Sequence, residues 1–206
     1  MTEPPQKYQA TDDRKRAIAA AARSLIVEKG FEGLRTREIA DRVGINIATL
    51  HYHIPTKDAL VELVAQSMKE DFMAQRLQHQ PGEDLSPSQR LRFEFDGHFR
   101  TRRENPELLL VMEEMSRRAR HDDTVARVIL PMRDFWFERI RAVVAAGCAD
   151  GSFRSDLDPP SATLMIIGLM IATSAYRIED REVIDRAVDE LFRSILSAPQ
   201  ERRADA

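Results

Sequence analysis

The sequence has a single cysteine, Cys148, so it excludes an intrachain disulfide and a zinc site built from several thiolates. It also lacks a long hydrophobic run. The longest near-continuous apolar stretch, residues 162–172, is far shorter than the ~20 residues that span a bilayer. The opening, MTEPPQKYQATDD, is polar and shows no signal peptide. We therefore expect a soluble, cytoplasmic protein that has no membrane partner.

Glycine and proline are scarce, with eight and ten in 206 residues, and no hairpin dipeptide separates alternating strands. Apolar residues recur instead at helical spacing along most of the chain, which predicts an all-α protein of about nine helices. Gly30 is expected to end the first helix, and Ser86 with Pro87 to begin a later one. Pro131 lies inside an apolar helical pattern, so that helix is either kinked or split there.

The most informative segment lies between Leu34 and Leu60, where two very short helices replace the long amphipathic ones. Thr36 is expected to cap the first, and Gly44 suits the tight turn that follows it. Asn46 is expected to cap the second, which Pro55 prevents from continuing. This arrangement predicts a helix-turn-helix whose second helix has the size to enter a DNA major groove.

The run TREIADRVGINIATLHYHIPTKDALV resembles the DNA-binding domain of the tetracycline-repressor (TetR) family of bacterial transcriptional regulators. The resemblance extends over about residues 12–64. It implies an N-terminal three-helix head on a larger helical body that binds a ligand and dimerises. We accordingly expect residues 1–57 to form the DNA-binding domain and residues 58–206 the effector-binding and dimerisation domain. Residues 1–11 and the last few residues are expected to be disordered.

The resemblance also implies which residues contact DNA. Arg37 would reach a base edge, and Ile47 and Ala48 would touch thymine methyl groups. The positions expected to face phosphates are Thr49, His51, Tyr52 and Lys57. His51 stands where the family commonly has tyrosine, so its phosphate contact depends on protonation. Leu50 and Ile54 are expected to be core residues.

Charge is distributed unevenly along the chain, although the formal net charge is only −3. Residues 1–60 hold ten basic and eight acidic side chains, a net of +2, whereas residues 61–206 hold 21 and 26, a net of −5. The predicted DNA-binding end is thus the less acidic part. An excess this small indicates that DNA affinity depends on a few well-placed contacts and on dimerisation.

The middle and last helices carry two further sets of candidate residues. An aromatic and methionine-rich set would line an effector cavity in a protein of this family, although an ordinary helical core would use the same residues. These effector-pocket candidates are Phe72, Phe95, His98, Phe99, Met112, Met115, Phe135 and Trp136. The last two helices have more apolar surface than one helical layer needs, which predicts a four-helix interface in a homodimer. The dimer-interface candidates are Leu164, Ile167, Ile171, Val188, Leu191, Phe192 and Ile195.

Signals for catalysis or for a cofactor are lacking. We find no nucleophile–base arrangement, no phosphate-binding glycine loop and no metal cluster, so we expect neither an enzyme nor a bound cofactor. His51 and His53 are two residues apart and cannot share a metal on one helix. His98 is either a satisfied interior histidine or a ligand contact, and Cys148 is expected to be an inert thiol.

Two functions remain after these exclusions. The first is a DNA-binding transcriptional regulator, a repressor that a hydrophobic or amphipathic small molecule releases from a palindromic operator. The second is a DNA-tethered factor that binds a protein partner and no small-molecule inducer. A hollow, apolar interior among the helices of residues 60–145 would favour the first of these.

Overall fold

The computed structural model of the chain describes residues 6–79 and 84–197. Within these ranges it contains nine α-helices, a short 3₁₀ helix at Phe31–Gly33 and one isolated β-bridge, so the predicted all-α class is confirmed. The α-helices are α1 (Gln6–Lys29), α2 (Thr36–Val43), α3 (Ile47–His53), α4 (Lys57–Gln78), α5 (Pro87–Glu104), α6 (Pro106–Arg118), α7 (Asp123–Ala149), α8 (Pro159–Ala175) and α9 (Arg181–Ile195).

Most helix ends follow the sequence signals. Gly30 ends α1 with a φ of 69°, a backbone conformation that glycine adopts without steric cost. The Ser86 hydroxyl accepts from the Gln89 N–H at 3.3 Å, and the Gln89 side chain accepts from the Ser86 N–H at 2.9 Å, which together form a capping box. Pro131 lies inside a continuous α7, so this helix is not split.

The start of α1 differs from the prediction. The helix begins at Gln6, so residues 6–11, which we expected to be disordered, are helical. This segment is mostly polar and gives no apolar stripe, so hydrophobic periodicity does not indicate a helix there. The other expected disordered positions, residues 1–5 and the chain end beyond Ser197, lie outside the described residues.

The chain forms two compact units that do not follow one another in sequence. The first contains the described residues up to His79 together with Arg103–Arg133, and the second contains residues 84–102 and those from Asp134 onward. Helix α7 therefore contributes its beginning to the first unit and its remainder to the second. The functional boundary after residue 57 stays a prediction.

Each unit has its own hydrophobic core. In the first, α1 packs with the two short helices and with α4 and α6, through residues such as Ile18, Leu25 and Met68. In the second, α5 and the later part of α7 pack with α8 and α9 around Phe95, Phe153 and Phe192. Phe153 also closes the β-bridge with Leu196, and its ring lies directly against Gly147 of α7.

Candidate nucleic-acid interface

The turn between α2 and α3 has the geometry of a helix-turn-helix. Gly44 ends α2 in the left-handed conformation, with φ 71° and ψ 35°. The next residue, Ile45, donates its N–H to the Ala40 carbonyl at 3.0 Å, which satisfies one of the last carbonyls of α2. Ile39 and Ala40 are buried, so α2 packs on the core through its small and apolar face.

Side-chain caps fix where the second short helix and the following helix begin. Asn46 Oδ1 accepts from the Thr49 N–H at 2.7 Å, and Thr56 Oγ1 accepts from the Ala59 N–H at 3.0 Å, as predicted. Thr36 is not a cap, however. It is the first residue of α2, and Arg35 holds the capping position without a side-chain hydrogen bond. The local sequence allowed either residue to precede the first helical turn.

Helix α3 separates its residues into a buried and an exposed side. Leu50 is 1% exposed and Ile54, just after the helix, is 4% exposed, so both are core residues as predicted. Of the residues predicted to contact DNA, Thr49 is half-buried and the others in or near α3 are exposed. The exposed ones are Ile47, Ala48, His51 and Tyr52, the last with 82% of its surface accessible. The structure thus presents these four side chains to solvent while Leu50 anchors the helix.

The basic residues around α2 differ in whether an acidic partner engages them. Arg42 donates to both Glu28 oxygens, at 2.8 and 2.5 Å, and these hydrogen bonds lower the pKa of Glu28 to about 2. Lys29 forms an ion pair with Glu38. Arg35 and Arg37 are both exposed, and within residues 6–79 and 84–197 neither forms an ion pair. Their charges therefore remain available to an anion.

Lys57 occupies the first turn of α4, where helix amides favour a bound anion. Its ammonium group lies 5.2 Å from the centre of the Phe31 ring, and the Arg118 guanidinium lies 5.3 Å from the same ring. Phe31 is buried, and its N–H donates to Glu114 at 3.1 Å. Lys57, which is predicted to contact a phosphate, and Arg118 of α6 thus lie over the same aromatic ring, that of Phe31.

The effector-pocket candidates divide between the two units. Phe72, Met112 and Met115 belong to the first core, where Met115 is fully buried. Phe95, Phe99 and Trp136 belong to the second core, and Phe135 is 68% exposed. In the second unit, Phe95 and Phe99 line a cleft of about 300 Å³ whose other walls are mostly charged. A pocket formed by these residues stays a prediction.

His98 lies in an aromatic setting within the second unit. Its ring stacks on Trp136 at 6.2 Å between centroids and meets Phe99 edge-on at 5.5 Å. Nε2 lies 3.2 Å from the Met170 carbonyl oxygen, and because a carbonyl only accepts, the ring must donate there. Burial lowers the pKa of His98 to about 4, so the ring is neutral at pH 7. This arrangement is that of a satisfied, partly interior histidine.

The dimer-interface candidates also occupy two environments. Leu164 and Ile171 of α8 are 67% and 52% exposed, and Ile167 is half-buried. On α9, the candidates Val188, Leu191, Phe192 and Ile195 are all buried in the core of their own unit. The exposed apolar surface is therefore on α8, where Met165 extends it with 53% exposure.

The remaining reactive side chains form no site in the described chain. Burial, followed by the charges of Asp150 and Asp156, raises the pKa of the Cys148 thiol, which makes its thiolate scarce at neutral pH. Within residues 6–79 and 84–197, no three His, Cys, Asp or Glu side chains are grouped to hold a metal ion. The same ranges contain no helix both long and apolar enough to span a bilayer.

Two further arginines near this interface were not predicted from the sequence. Arg35 immediately precedes α2 and is exposed beside Arg37. Arg23 of α1 is only 8% exposed, although arginine is rarely buried unless it is paired. Its position, four residues after Ala19 and three before Ile26, places it at the edge of the apolar stripe of α1, and this was the available signal.

The exposed second helix of a helix-turn-helix, beside two exposed arginines that form no ion pair within the described ranges, is typical of proteins that bind DNA. Residues 18–64 match the family model described as bacterial regulatory proteins, tetR family. This match covers both short helices of the helix-turn-helix and parts of α1 and α4.

Known proteins are similar to this chain over different lengths. The transcriptional repressor KstR2 of Mycolicibacterium smegmatis is 26% identical over 148 residues, which are 70% of each chain. The class C tetracycline repressor of Escherichia coli is 34% identical over 55 residues, which are 27% of this chain and 25% of the repressor. The tetracycline repressor is thus matched over about a quarter of its length.

Solved structures share the fold over nearly the whole chain. A TetR-family transcriptional regulator from Rhodococcus sp. has a TM-score of 0.74 and 21% identity, covering 87% of this chain and 97% of that one. The ketosteroid transcriptional regulator KstR2 of Mycobacterium tuberculosis has a TM-score of 0.69 and 18% identity, covering 90% and 96%. At these identities, the likeness shows a common fold.

Proposed function

We propose that this chain is a cytoplasmic, homodimeric repressor that binds a palindromic operator and that a small-molecule effector releases from DNA. The observation that carries the proposal is the exposed face of α3 beside Arg35 and Arg37, which have no acidic partner in the described chain. In a dimer, two such helices would enter successive major grooves about 34–36 Å apart.

Base reading and phosphate contact are assigned to different residues. Arg37 would read a guanine through two hydrogen bonds, whereas Lys57 and Arg35 would contact phosphates without regard to sequence. Arg37→Ala should therefore cost about 1–3 kcal/mol of binding free energy and relax one base preference. Lys57→Ala should weaken binding to all duplexes alike and flatten the salt dependence.

The direct test is a selection of duplex DNA from a random library by the purified full chain, followed by titration at physiological salt. We expect a palindromic sequence to be enriched and to bind more tightly than random duplex. Equal affinity for both duplexes would contradict the proposal. An Arg37→Ala variant that kept every base preference would remove Arg37 from the reading role.

The dimer would form through the exposed side of α8. Leu164, Met165 and Ile171 present an apolar surface that a monomer would leave in water, and Gly168 between them allows close approach. Leu164→Glu with Ile171→Glu should shift the chain to a monomer in sedimentation measurements without unfolding it. Tyr176→Glu, at a position that is 81% exposed just beyond α8, is the matched control and should leave the dimer intact.

The effector would be a hydrophobic or amphipathic molecule bound among the aromatic residues of the body. His98 and Trp136 support this assignment because their stacked rings offer an apolar surface, while Nε2 of His98 stays bound to the Met170 carbonyl. Because one relative is a ketosteroid regulator, steroids form a rational first panel for a screen that measures release of the selected DNA.

The second candidate function is a DNA-tethered factor that binds a protein partner. Phe135, which we expected in the pocket, is 68% exposed on α7, and this favours a surface contact. The screen separates the two functions. A small molecule that releases DNA from the wild-type chain but not from a His98→Ala variant would support the repressor and contradict the tethered factor.

A further inference from the structure

Arg23 is a buried arginine that joins three helices of the first unit. Its side chain on α1 is 10% exposed, and Nη1 donates to Asp71 Oδ2 of α4 at 2.5 Å. Nε of the same guanidinium donates to Glu107 Oε1 of α6 at 3.1 Å. One planar group thus holds carboxylates from two other helices.

Because losing either carboxylate partner is costly, the two ion pairs restrict how α1 can tilt. Only 10% of the Arg23 side chain is exposed, so its charge has little access to water, whereas Asp71 and Glu107 are 41% and 39% exposed. A buried charge deprived of its partner is strongly destabilising. Because the guanidinium donates along fixed directions, α1 can tilt against α4 or α6 only by breaking or rebuilding a charged hydrogen bond.

The direction of α1 matters for the recognition helix because the two share one core. Ile18 and Ala22 of α1 belong to the same buried cluster as Ile39 of α2 and Leu50 of α3. Because protein cores are close-packed and hardly compressible, a tilt of α1 would displace α3 as well. In a dimer, that tilt would alter the separation of the two recognition helices.

We propose that Arg23 is a positioning residue of the DNA-binding head, which fixes α1, and through it α3, against Asp71 of α4 and Glu107 of α6. This inference rests on the proposed function as a dimeric DNA-binding protein. It predicts that Arg23 governs which half-site spacing the dimer accepts, in addition to any effect on stability.

The test compares two operators: the palindrome that the wild-type chain selects, and the same palindrome with one base pair inserted at its centre. The insertion moves the half-sites apart by about 3.4 Å and rotates them by about 35°. The variants are Arg23→Met, Asp71→Asn and Glu107→Gln. Arg141→Met is the matched control, because Arg141 pairs with Glu138 at 2.7 Å on its own helix and, among the described residues, forms no ion pair with another helix.

Wild type and Arg141→Met should favour the selected spacing by the same ratio of dissociation constants. Arg23→Met should reduce that ratio by about tenfold, and each carboxylate variant by a smaller factor, because one of two links remains. Thermal unfolding of each variant, measured in parallel, identifies losses that come from unfolding. If Arg23→Met does not fold, the ratio is read from Asp71→Asn and Glu107→Gln.

The outcomes separate the two proposals. If the wild-type chain selects no palindrome, the proposed function fails and this inference fails with it. If it selects one, and the folded variants bind both spacings with the wild-type ratio, then Arg23 is only a structural ion pair and the inference is overturned. A uniform loss of affinity at both spacings would overturn it as well.

Discussion

The two compact units differ in the polar contacts that their arginines make within each unit. In the first, charged side chains connect helices that are distant in sequence, as Arg23 connects α1 with α4 and α6. The second unit also has such an ion pair, between Arg92 of α5 and Asp189 of α9, but its Arg102 donates to main-chain carbonyls, those of Thr173 at 3.0 Å and Ile178 at 2.8 Å. The buried arginine of the first unit therefore depends on carboxylates that are 41% and 39% exposed, whereas Arg102 depends on main-chain oxygens of its own unit.

Further polar links reinforce this character of the first unit. Glu114 accepts from the Phe31 N–H, and its pKa is lowered by the hydrogen bonds from Arg117 and then from that N–H. Asp58 of α4 accepts from the Thr124 hydroxyl of α7 at 3.2 Å. Such exposed or half-exposed links contribute little stability each, in contrast to the contacts of the buried Arg23.

Removal of a core aromatic from the second unit should have the largest effect. Phe192 is 1% exposed and packs against Phe95 with ring centroids 6.0 Å apart. Phe192→Ala should lower the free energy of unfolding by about 3–5 kcal/mol, measured by urea denaturation. The control Tyr176→Ala, at a position that is 81% exposed, should change it by less than about 0.5 kcal/mol. Similar losses for both would contradict the assignment of Phe192 to the core.

The second prediction concerns the loss of folding stability at acidic pH. Burial, opposed by the Met170 hydrogen bond and aided by the Arg102 charge, lowers the pKa of His98 from 6.5 to about 4. Between these values the unfolded chain binds a proton that the folded chain does not, so stability falls as the pH drops from 6.5 to 4. The loss attributable to His98 should reach up to about 3 kcal/mol.

Urea unfolding at several pH values, compared between the wild-type chain and His98→Gln, measures this term. Glutamine keeps a donor for the Met170 carbonyl but does not titrate, so the variant should show a flatter decline across the window. Identical slopes in the two proteins would assign the acid sensitivity to other groups.

A smaller effect is expected where two helical glycines differ in their surroundings. A Cβ at Gly147 would overlap the buried Phe153 ring, whereas a Cβ at Gly97 would meet nothing within 4 Å. Gly147→Ala should destabilise the fold by about 2 kcal/mol. Gly97→Ala should instead stabilise it by up to about 1 kcal/mol, because alanine favours the helix. Thermal unfolding reports both, and two changes of the same sign would contradict this contrast.

The smallest stability effect is expected in the first unit, at the cap of α3. Asn46→Ala removes the hydrogen bond to the Thr49 N–H and should cost about 1 kcal/mol of unfolding free energy. Binding to the selected palindrome should nevertheless weaken, because α3 would fray at its first turn. Asn46→Asp, which keeps a capping oxygen, serves as the control for the cap. Loss of stability with unchanged DNA affinity would show that the start of α3 is not part of the interface.

The helix-turn-helix could be predicted because its signals are local. Asn46, Thr56 and Gly44 act on backbone groups within four residues. The four-residue spacing of Leu50 and Ile54 indicates the buried side of the segment. The prediction was wrong at Thr36, where either of two adjacent residues could precede the helix. The start of α1 was also misplaced, since polar residues continue a helix without leaving a periodic trace.

By itself, then, the sequence determined the helical class, the caps at Asn46 and Thr56, and the buried and exposed sides of α3, because each depends on neighbours along the chain. Tertiary structure decided which aromatic residues of the middle helices are buried, as for Phe95, and which are exposed, as for Phe135. It also decided the partners of Arg23, which lie 48 and 84 residues away. A helical stripe specifies that a side faces inward but carries no information on which distant helix it meets.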